Sequence, residues 1–70
     1  MPNAILIHVN GETREATAGT TVTGLLAQLS LNNGRVAVEY NLRILPKARW
    51  DDTQVAQGDR LEIVQFVGGG

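Results

Sequence analysis

The residues best suited to chemistry in this sequence are the consecutive glycines Gly68, Gly69 and Gly70, which follow the apolar run "VQFV". Because glycine has no Cβ, such a backbone passes through a channel that any side chain would block. Three extended residues reach about 10 Å beyond a preceding strand. A terminal carboxylate is ionised at neutral pH but inert in acyl transfer until it is activated. We therefore interpret Gly70 as the reacting end of a substrate. Gly68 and Gly69 are interpreted as the narrow segment that passes through the channel of an enzyme. A frayed terminus is the alternative.

Other chemistry-bearing residues are isolated from one another. The chain has one histidine, His8, and no cysteine, so no metal site is expected. His8 is interpreted as a solvated sheet residue. The adjacent carboxylates Asp51 and Asp52 are expected to cap a turn or helix, and Ser30 has no base near it in sequence. Since no set of nucleophile, base and oxyanion donors is present, we predict that the chain is not an enzyme by itself and binds no cofactor of its own.

Size and composition restrict the function further. Seventy residues allow one domain, and hydrophobic and charged contents of 43% and 19% are typical of a globular chain. A net charge of −1 gives no basic surface for nucleic acid or for an anionic membrane. The N-terminus does not resemble a signal peptide, and no apolar run approaches the roughly 20 residues that span a bilayer. A cytoplasmic protein is expected.

The first half of the chain predicts a hairpin followed by a helix. "AILIHV" (4–9) alternates as a strand does, Asn10-Gly11 is a strong hairpin signal, and "TREAT" returns as a polar edge strand. The spacing of the apolar residues then changes from that of a strand to that of a helix. Thr20 or Thr21 is predicted to be the N-cap of this helix, and Asn33-Gly34 is predicted to end it. The stripe consists of Val22, Leu25, Leu26 and Leu29.

The second half predicts three strands. "RVAVEY" (35–40) leads through a turn at Asn41-Leu42 into "RIL" (43–45), and a polar connection anchored by Trp50 leads to the last strand (60–67). The order β-β-α-β-β-β indicates an α+β protein with a β-grasp fold, in which a mixed sheet packs on one main helix. We expect the first and last strands to be parallel neighbours. Residues 1–67 form the predicted domain, and residues 68–70 form a flexible glycine tail.

The last strand has two unequal faces. If Leu61 and Ile63 face the helix, then Val64 and Phe66 lie on the open face of the sheet. Leu6, on the neighbouring strand, is expected to extend this apolar surface. Exposed apolar surfaces commonly bind partners. The alternative is that a bulge or the loop "KARWDDTQ" covers these side chains.

Three stretches resemble a known family: "GTTVTGLLAQLSL", "RVAVEYNLRILPKARW" and "GDRLEIVQFVGGG". From about Thr20 to Gly70 the chain resembles the thiamine-biosynthesis sulfur-carrier proteins of the ubiquitin-like β-grasp superfamily. The stretches "ILPKARW" and "GDRLEIVQFVGGG" are the most discriminating, because a diglycine end is shared by the whole superfamily. Leu42-Arg43 departs from the small polar pair that the family often has after the asparagine.

The resemblance implies a function for the tail. An E1-like adenylyltransferase, using ATP and magnesium, would bind the sheet face and convert the Gly70 carboxylate to an acyl-adenylate. Sulfur from a cysteine desulfurase persulfide would displace AMP and leave a thiocarboxylate on Gly70. Thiazole synthase would then receive the sulfur for the thiazole of thiamine. Gly68 and Gly69 would thread the channel, with Phe66, Val64 and Leu6 as docking contacts.

Three alternatives to this interpretation remain open. The small subunit of molybdopterin synthase has the same tail chemistry, so a sulfur carrier for molybdopterin is one of them. A ubiquitin-like protein modifier, joined through Gly70 to lysines of target proteins, is the second. A plain binding module with an incidental tail is the third.

Overall fold

The computed structural model describes residues 3–31 and 35–66, which form five strands, one α-helix and one short 3₁₀ helix. In chain order these are β1 (Ala4–Val9), β2 (Glu12–Thr17), α1 (Val22–Gln28), β3 (Arg35–Tyr40), β4 (Arg43–Leu45), the 3₁₀ helix (Lys47–Arg49) and β5 (Arg60–Phe66). The predicted order of strands and helix is confirmed. The 3₁₀ helix, within the polar connection, was not predicted.

The strands form one mixed sheet in the order β2-β1-β5-β3-β4. The first and last strands are parallel neighbours, as predicted, with Val9 level with Leu61. β5 is antiparallel to β3 on its other side, and β2 lies at an edge of the sheet, where its polar composition suits it. The described residues therefore have the expected α+β architecture, a β-grasp with one helix across one face of a mixed sheet.

The core lies between α1 and one face of the sheet. The alternating inward residues of β1, β3 and β5 meet the apolar stripe of the helix, as period 2 and period 3.6 require. Val55, from the connection before β5, closes the core on one side. The buried apolar residues are Ile7, Val9, Ala16, Val22, Leu25, Leu26, Val38, Val55, Leu61 and Ile63.

Both ends of α1 are capped. Thr21, one of the two predicted N-caps, accepts a hydrogen bond from the Gly24 amide through its hydroxyl at 3.0 Å. The helix ends at Gln28, earlier than predicted, because Ser30 takes a left-handed conformation with φ 61°. The Leu31 amide then donates to the Leu26 carbonyl at 2.8 Å, which is the usual closure of such a helix end. The predicted stop at Asn33-Gly34 lies outside the described residues.

Two asparagines hold β5 from opposite sides. Asn10 and Asn41 both begin hairpin turns with positive φ, 52° and 51°, which asparagine tolerates. The Asn10 side chain accepts a hydrogen bond from the Ile63 amide at 2.7 Å and donates one to the Ile63 carbonyl at 3.2 Å. The Asn41 side chain accepts from the Arg60 amide at 2.9 Å. The two side chains thus continue the hydrogen bonding between β5 and its two neighbours beyond the ends of β1 and β3.

The turn after β3 holds a residue in an unfavourable conformation. Leu42 has φ 74°, and its side chain is 84% exposed. We expect Leu42→Gly to raise the unfolding free energy by about 0.5–1 kcal/mol. The left-handed strain that it removes, about 1–2 kcal/mol, exceeds the roughly 0.5–1 kcal/mol that the greater entropy of glycine in the unfolded chain costs.

Urea titration would measure this gain, with Leu42→Ala as the matched control. Alanine removes the exposed side chain but keeps the Cβ, so its stability should stay close to that of the parent chain. An equal gain in both variants would attribute the effect to the exposed leucine side chain rather than to the backbone.

Candidate functional site

The functional tail predicted from sequence begins at Gly68, two residues after Phe66, the last residue of β5. Gly68, Gly69 and Gly70 lie outside the described residues, and so does Val67, so the division into residues 1–67 and 68–70 stays a prediction. The described strand ends at Phe66. The candidate site therefore consists of the last residues of β5 before the tail and of the sheet face around them.

Alternation along β5 separates two faces. Leu61 and Ile63 are buried under α1, whereas the side chains of Val64 and Phe66 are 55% and 54% exposed. β3 is the neighbour here, with Ala37 opposite Val64 and Arg35 opposite Phe66. We call Val64, Phe66 and Ala37 the apolar patch. The predicted exposure of Val64 and Phe66 is confirmed, while their predicted docking role stays a prediction.

The apolar patch is open because the long connection before β5 packs elsewhere. The Val22 amide donates to the Thr53 carbonyl, and the Val55 amide donates to the Thr20 carbonyl, both at 2.8 Å. The Asp51 carboxylate accepts a hydrogen bond from the Thr23 hydroxyl. These bonds fasten the connection to the start of α1, on the opposite side of the sheet. The alternative in which "KARWDDTQ" covers the patch is therefore wrong.

Leu6 lies on the open face but not in the apolar patch. The Gly58 amide donates to the Leu6 carbonyl at 2.8 Å, so Leu6 is level with the residue before Asp59. His8 pairs with Arg60, so Leu6 lies two residues before this pair and Val64 four residues after it, which is about 20 Å along the strands at 3.3 Å per residue. The prediction that Leu6 extends the patch is wrong, because alternation fixes the face of a residue but not the register of its strand.

The other residues singled out from sequence have structural roles. His8 lies on the open face, with its Nδ1 3.4 Å from the Thr13 hydroxyl oxygen. Trp50 anchors the connection by donating from Nε1 to the Leu45 carbonyl at 3.0 Å. Within residues 3–31 and 35–66, no three His, Cys, Asp or Glu side chains lie close enough to hold a metal ion. Neither described helix is long and apolar enough to cross a membrane.

The carboxylate of Asp59, the residue before β5, accepts several hydrogen bonds at the end of the sheet opposite the apolar patch. Asp59 accepts hydrogen bonds from the Tyr40 hydroxyl, from the Ala56 amide at 2.7 Å and from the Asn41 side chain at 3.1 Å. Burial, together with the hydrogen bond to Asp59 and its negative charge, raises the pKa of Tyr40 from 10.0 to about 12. The hydrogen bond from Tyr40 to Asp59 therefore stabilises the fold only while the phenol is protonated.

This raised pKa predicts a loss of stability at high pH. Below pH 10 the phenol is protonated in both the folded and unfolded chains, and its contribution is complete. Between pH 10 and about pH 12 the unfolded chain loses this proton first, so the unfolding free energy falls as pH rises. Urea titrations of the parent chain and of Tyr40→Phe should differ by about 1 kcal/mol below pH 10. That difference should shrink towards pH 12; a constant difference would contradict this role of the hydroxyl.

The sequence matches a known family over nearly its whole length. A model of the ThiS family matches residues 7–70, a range that includes β5, the apolar patch and the three terminal glycines. The chain belongs to the ThiS family.

Individual ThiS relatives agree with this assignment. The "Sulfur carrier protein ThiS" of Bacillus subtilis is 38% identical over 66 residues, covering 93% of this chain and 100% of that protein. The crystal structure of the thiamine biosynthesis protein ThiS from Geobacter metallireducens superimposes with a TM-score of 0.77 at 33% identity, over 94% of this chain and 100% of that one. The shared fold is the ubiquitin-like β-grasp.

A further relative carries a ThiS-like segment within a longer protein. The "Thiazole synthase" of Paramagnetospirillum magneticum is 48% identical over 62 residues, which are 89% of this chain but 19% of that protein. The chain therefore spans about a fifth of the length of this relative.

Proposed function

We propose that this chain is a sulfur carrier of thiamine biosynthesis that works in the cytoplasm and bears its sulfur on Gly70. The family match, which runs to Gly70, is the observation that carries the proposal. The apolar patch supports it, because Val64 and Phe66 are exposed at the end of β5, and Phe66 is only two positions before Gly68 in the sequence. An enzyme that holds this patch also holds the start of the tail.

The proposed reaction sequence has the tail as substrate throughout. A carboxylate oxygen of Gly70 attacks the α-phosphorus of ATP in an E1-like adenylyltransferase, and pyrophosphate leaves. The magnesium ion and the nucleotide belong to that enzyme. The terminal sulfur of a persulfide supplied through a cysteine desulfurase then displaces AMP at the acyl carbon and forms an acyl disulfide. A thiol of the sulfur-donating enzymes attacks this S–S bond, which leaves a disulfide on the donor side and releases the thiocarboxylate on Gly70. Thiazole synthase accepts the sulfur, and hydrolysis regenerates the carboxylate, so the carrier itself catalyses no step.

We expect Phe66→Asp to weaken adenylyltransferase binding far more than it changes folding. Phe66 is 54% exposed, so it contributes little to the core, whereas a carboxylate there would be desolvated in an apolar interface. The expected loss is about 2 kcal/mol of binding free energy, or about thirtyfold in Kd. Calorimetric titration measures the binding and thermal unfolding the stability.

Leu6→Asp is the matched control, because Leu6 is 48% exposed on the same face but lies at the other end of the sheet. It should leave binding unchanged. A large fall in the melting temperature of Phe66→Asp would instead assign Phe66 to the core, and equal effects of both variants on binding would remove the apolar patch from the interface.

Intact mass spectrometry tests the proposed function directly. The chain is incubated with the thiamine-pathway adenylyltransferase, ATP, magnesium, a persulfide source and a thiol reductant. A mass increase equal to replacing one oxygen by sulfur supports the carrier, and donation of that sulfur to thiazole synthase supports the thiamine pathway over molybdopterin. Conjugates of higher mass would support a protein modifier. No ATP-dependent change would leave only a binding module.

A further inference from the structure

Lys47 is the single lysine of this chain; the other cationic side chains are arginines, and there is no cysteine. A lysine amine is a nucleophile once it has lost its proton. A guanidinium group stays protonated in proteins and is not a nucleophile. Lys47 is therefore the one side chain of this sequence that forms a stable amide with an activated carboxyl group.

The amine of Lys47 is accessible. Lys47 begins the 3₁₀ helix, and its side chain is exposed. The ion pair found within residues 3–31 and 35–66 joins Arg14 to Glu12, so no carboxylate of that part holds the Lys47 ammonium group. Lys47 also lines a groove of about 360 Å³ between α1, β3 and the 3₁₀ helix, together with Arg35 and Trp50. This groove leaves room for a chain end to approach the amine.

Lys47 lies at the end of the sheet where β5 ends. Leu45 of β4 pairs with Val38 of β3. The next residue of the chain is extended (φ −61°, ψ 147°), so Lys47 comes about level with Val36. On the other side of β3, Val36 pairs with Gln65 of β5. Two strand spacings of about 4.8 Å therefore separate Lys47 from Gln65, or about 10 Å in all.

The predicted tail is long enough to cross this distance. Four residues follow Phe66 in the sequence, and when extended they span about 13 Å at 3.3 Å per residue. A group tethered by a short flexible segment has an effective concentration on the order of millimolar at a neighbour within its reach. At protein concentrations far below that value, the Gly70 end meets Lys47 of its own chain much more often than that of a second copy.

We propose that Lys47 is an internal acceptor for the activated end of Gly70, an inference that rests on the proposed function. In the absence of a sulfur donor, the Lys47 amine attacks the acyl carbon of the adenylate as it leaves the enzyme. A C–N bond forms, the bond between the acyl carbon and the phosphate oxygen breaks, and AMP leaves with that electron pair. The two protons that the ammonium group loses go to water. The resulting isopeptide bond closes the tail into a ring and withdraws the carrier from sulfur transfer.

The test is the adenylylation reaction without a persulfide source, with the chain at low micromolar concentration. Pyrophosphate release reports activation by the thiamine-pathway adenylyltransferase with ATP and magnesium. We expect a product that is lighter than the chain by one water, in which peptide mapping joins Gly70 to Lys47. Lys47→Arg keeps the positive charge but not the nucleophile, so it should release pyrophosphate without giving this product. Adding a persulfide source and a thiol reductant should replace the product by the thiocarboxylate.

Arg14→Lys in the Lys47→Arg chain is the matched control for position. Arg14 is exposed on β2 opposite Ile7, which is level with the residue before Arg60. Phe66 is about seven residues further along the sheet, or about 23 Å at 3.3 Å per residue, which the four tail residues cannot span. This control should therefore give no water-loss product, and an equal yield from it would overturn the proposal.

Three further outcomes decide between the proposal and the proposed function. A bond mapped to the α-amino group, or a cross-linked dimer in place of the water-loss product, would overturn the proposal. Pyrophosphate release from the parent chain without any water-loss product would also overturn it while leaving the proposed function intact. If no pyrophosphate is released, the proposed function itself fails, and the proposal fails with it.

Discussion

Gly69→Val should abolish adenylylation of Gly70 while leaving the folded domain unchanged. The branched side chain of valine makes the glycine segment wider and restricts its backbone. The Gly70 carboxylate then cannot reach the position for in-line attack on the α-phosphate. Misplacing a reacting atom by about 1 Å costs on the order of a hundredfold in rate, and we expect at least that loss. Folding should not respond, because β5 ends at Phe66 and the buried core residues all lie before it. Pyrophosphate release measures the reaction, and circular dichroism measures the melting temperature.

Ala48→Val is the control for adding the same side chain elsewhere. Ala48 is exposed in the 3₁₀ helix and is not part of the tail, and its substitution should leave the rate of pyrophosphate release unchanged. A Gly69→Val chain that is still adenylylated at the parent rate would rule out a narrow channel as the reason for the glycines.

Asn10→Ala should lower the unfolding free energy by about 3 kcal/mol, a large fraction of the roughly 5–10 kcal/mol expected for a small domain. The change removes both hydrogen bonds to Ile63, whose backbone groups are then left without these partners beside a buried side chain. It also places alanine at φ 52°, where a Cβ is strained by about 1–2 kcal/mol. Urea or thermal unfolding measures the loss.

Two further variants separate these contributions. Asn10→Gly keeps the left-handed turn but loses the side chain, so it should fall between the parent chain and Asn10→Ala. Asn10→Asp keeps the acceptor for the Ile63 amide and loses the donor to its carbonyl, so it too should be intermediate. A loss below about 0.5 kcal/mol in Asn10→Ala would show that the side chain of Asn10 does not bridge β1 to β5 in solution.

The sequence predicted the elements well because their signals are local. Alternation over "AILIHV" and "RVAVEY", the Asn10-Gly11 turn and the stripe of α1 each depend on residues within a few positions of one another. The parallel pairing of β1 with β5 followed from the order of these elements. The helix end was predicted too late, because a serine with positive φ is a rarer stop than Asn-Gly.

The candidate site was predicted only in part because it depends on register. Alternation placed Val64 and Phe66 on the open face correctly, but it could not show that Leu6 lies level with Gly58. The bridging role of Asn10 was hidden behind its stronger signal as a turn residue.

The unequal support along β5 has a consequence for how the carrier presents its end. Leu61 has strand neighbours on both sides, the Asn10 side chain holds Ile63, and Val64 to Phe66 pair with β3. Amide hydrogen exchange should therefore be slowest at Leu61 and quicken towards Phe66, a gradient of protection within one strand. An enzyme can then separate the last few residues of β5 from β3 by local opening, which costs less free energy than unfolding the whole domain.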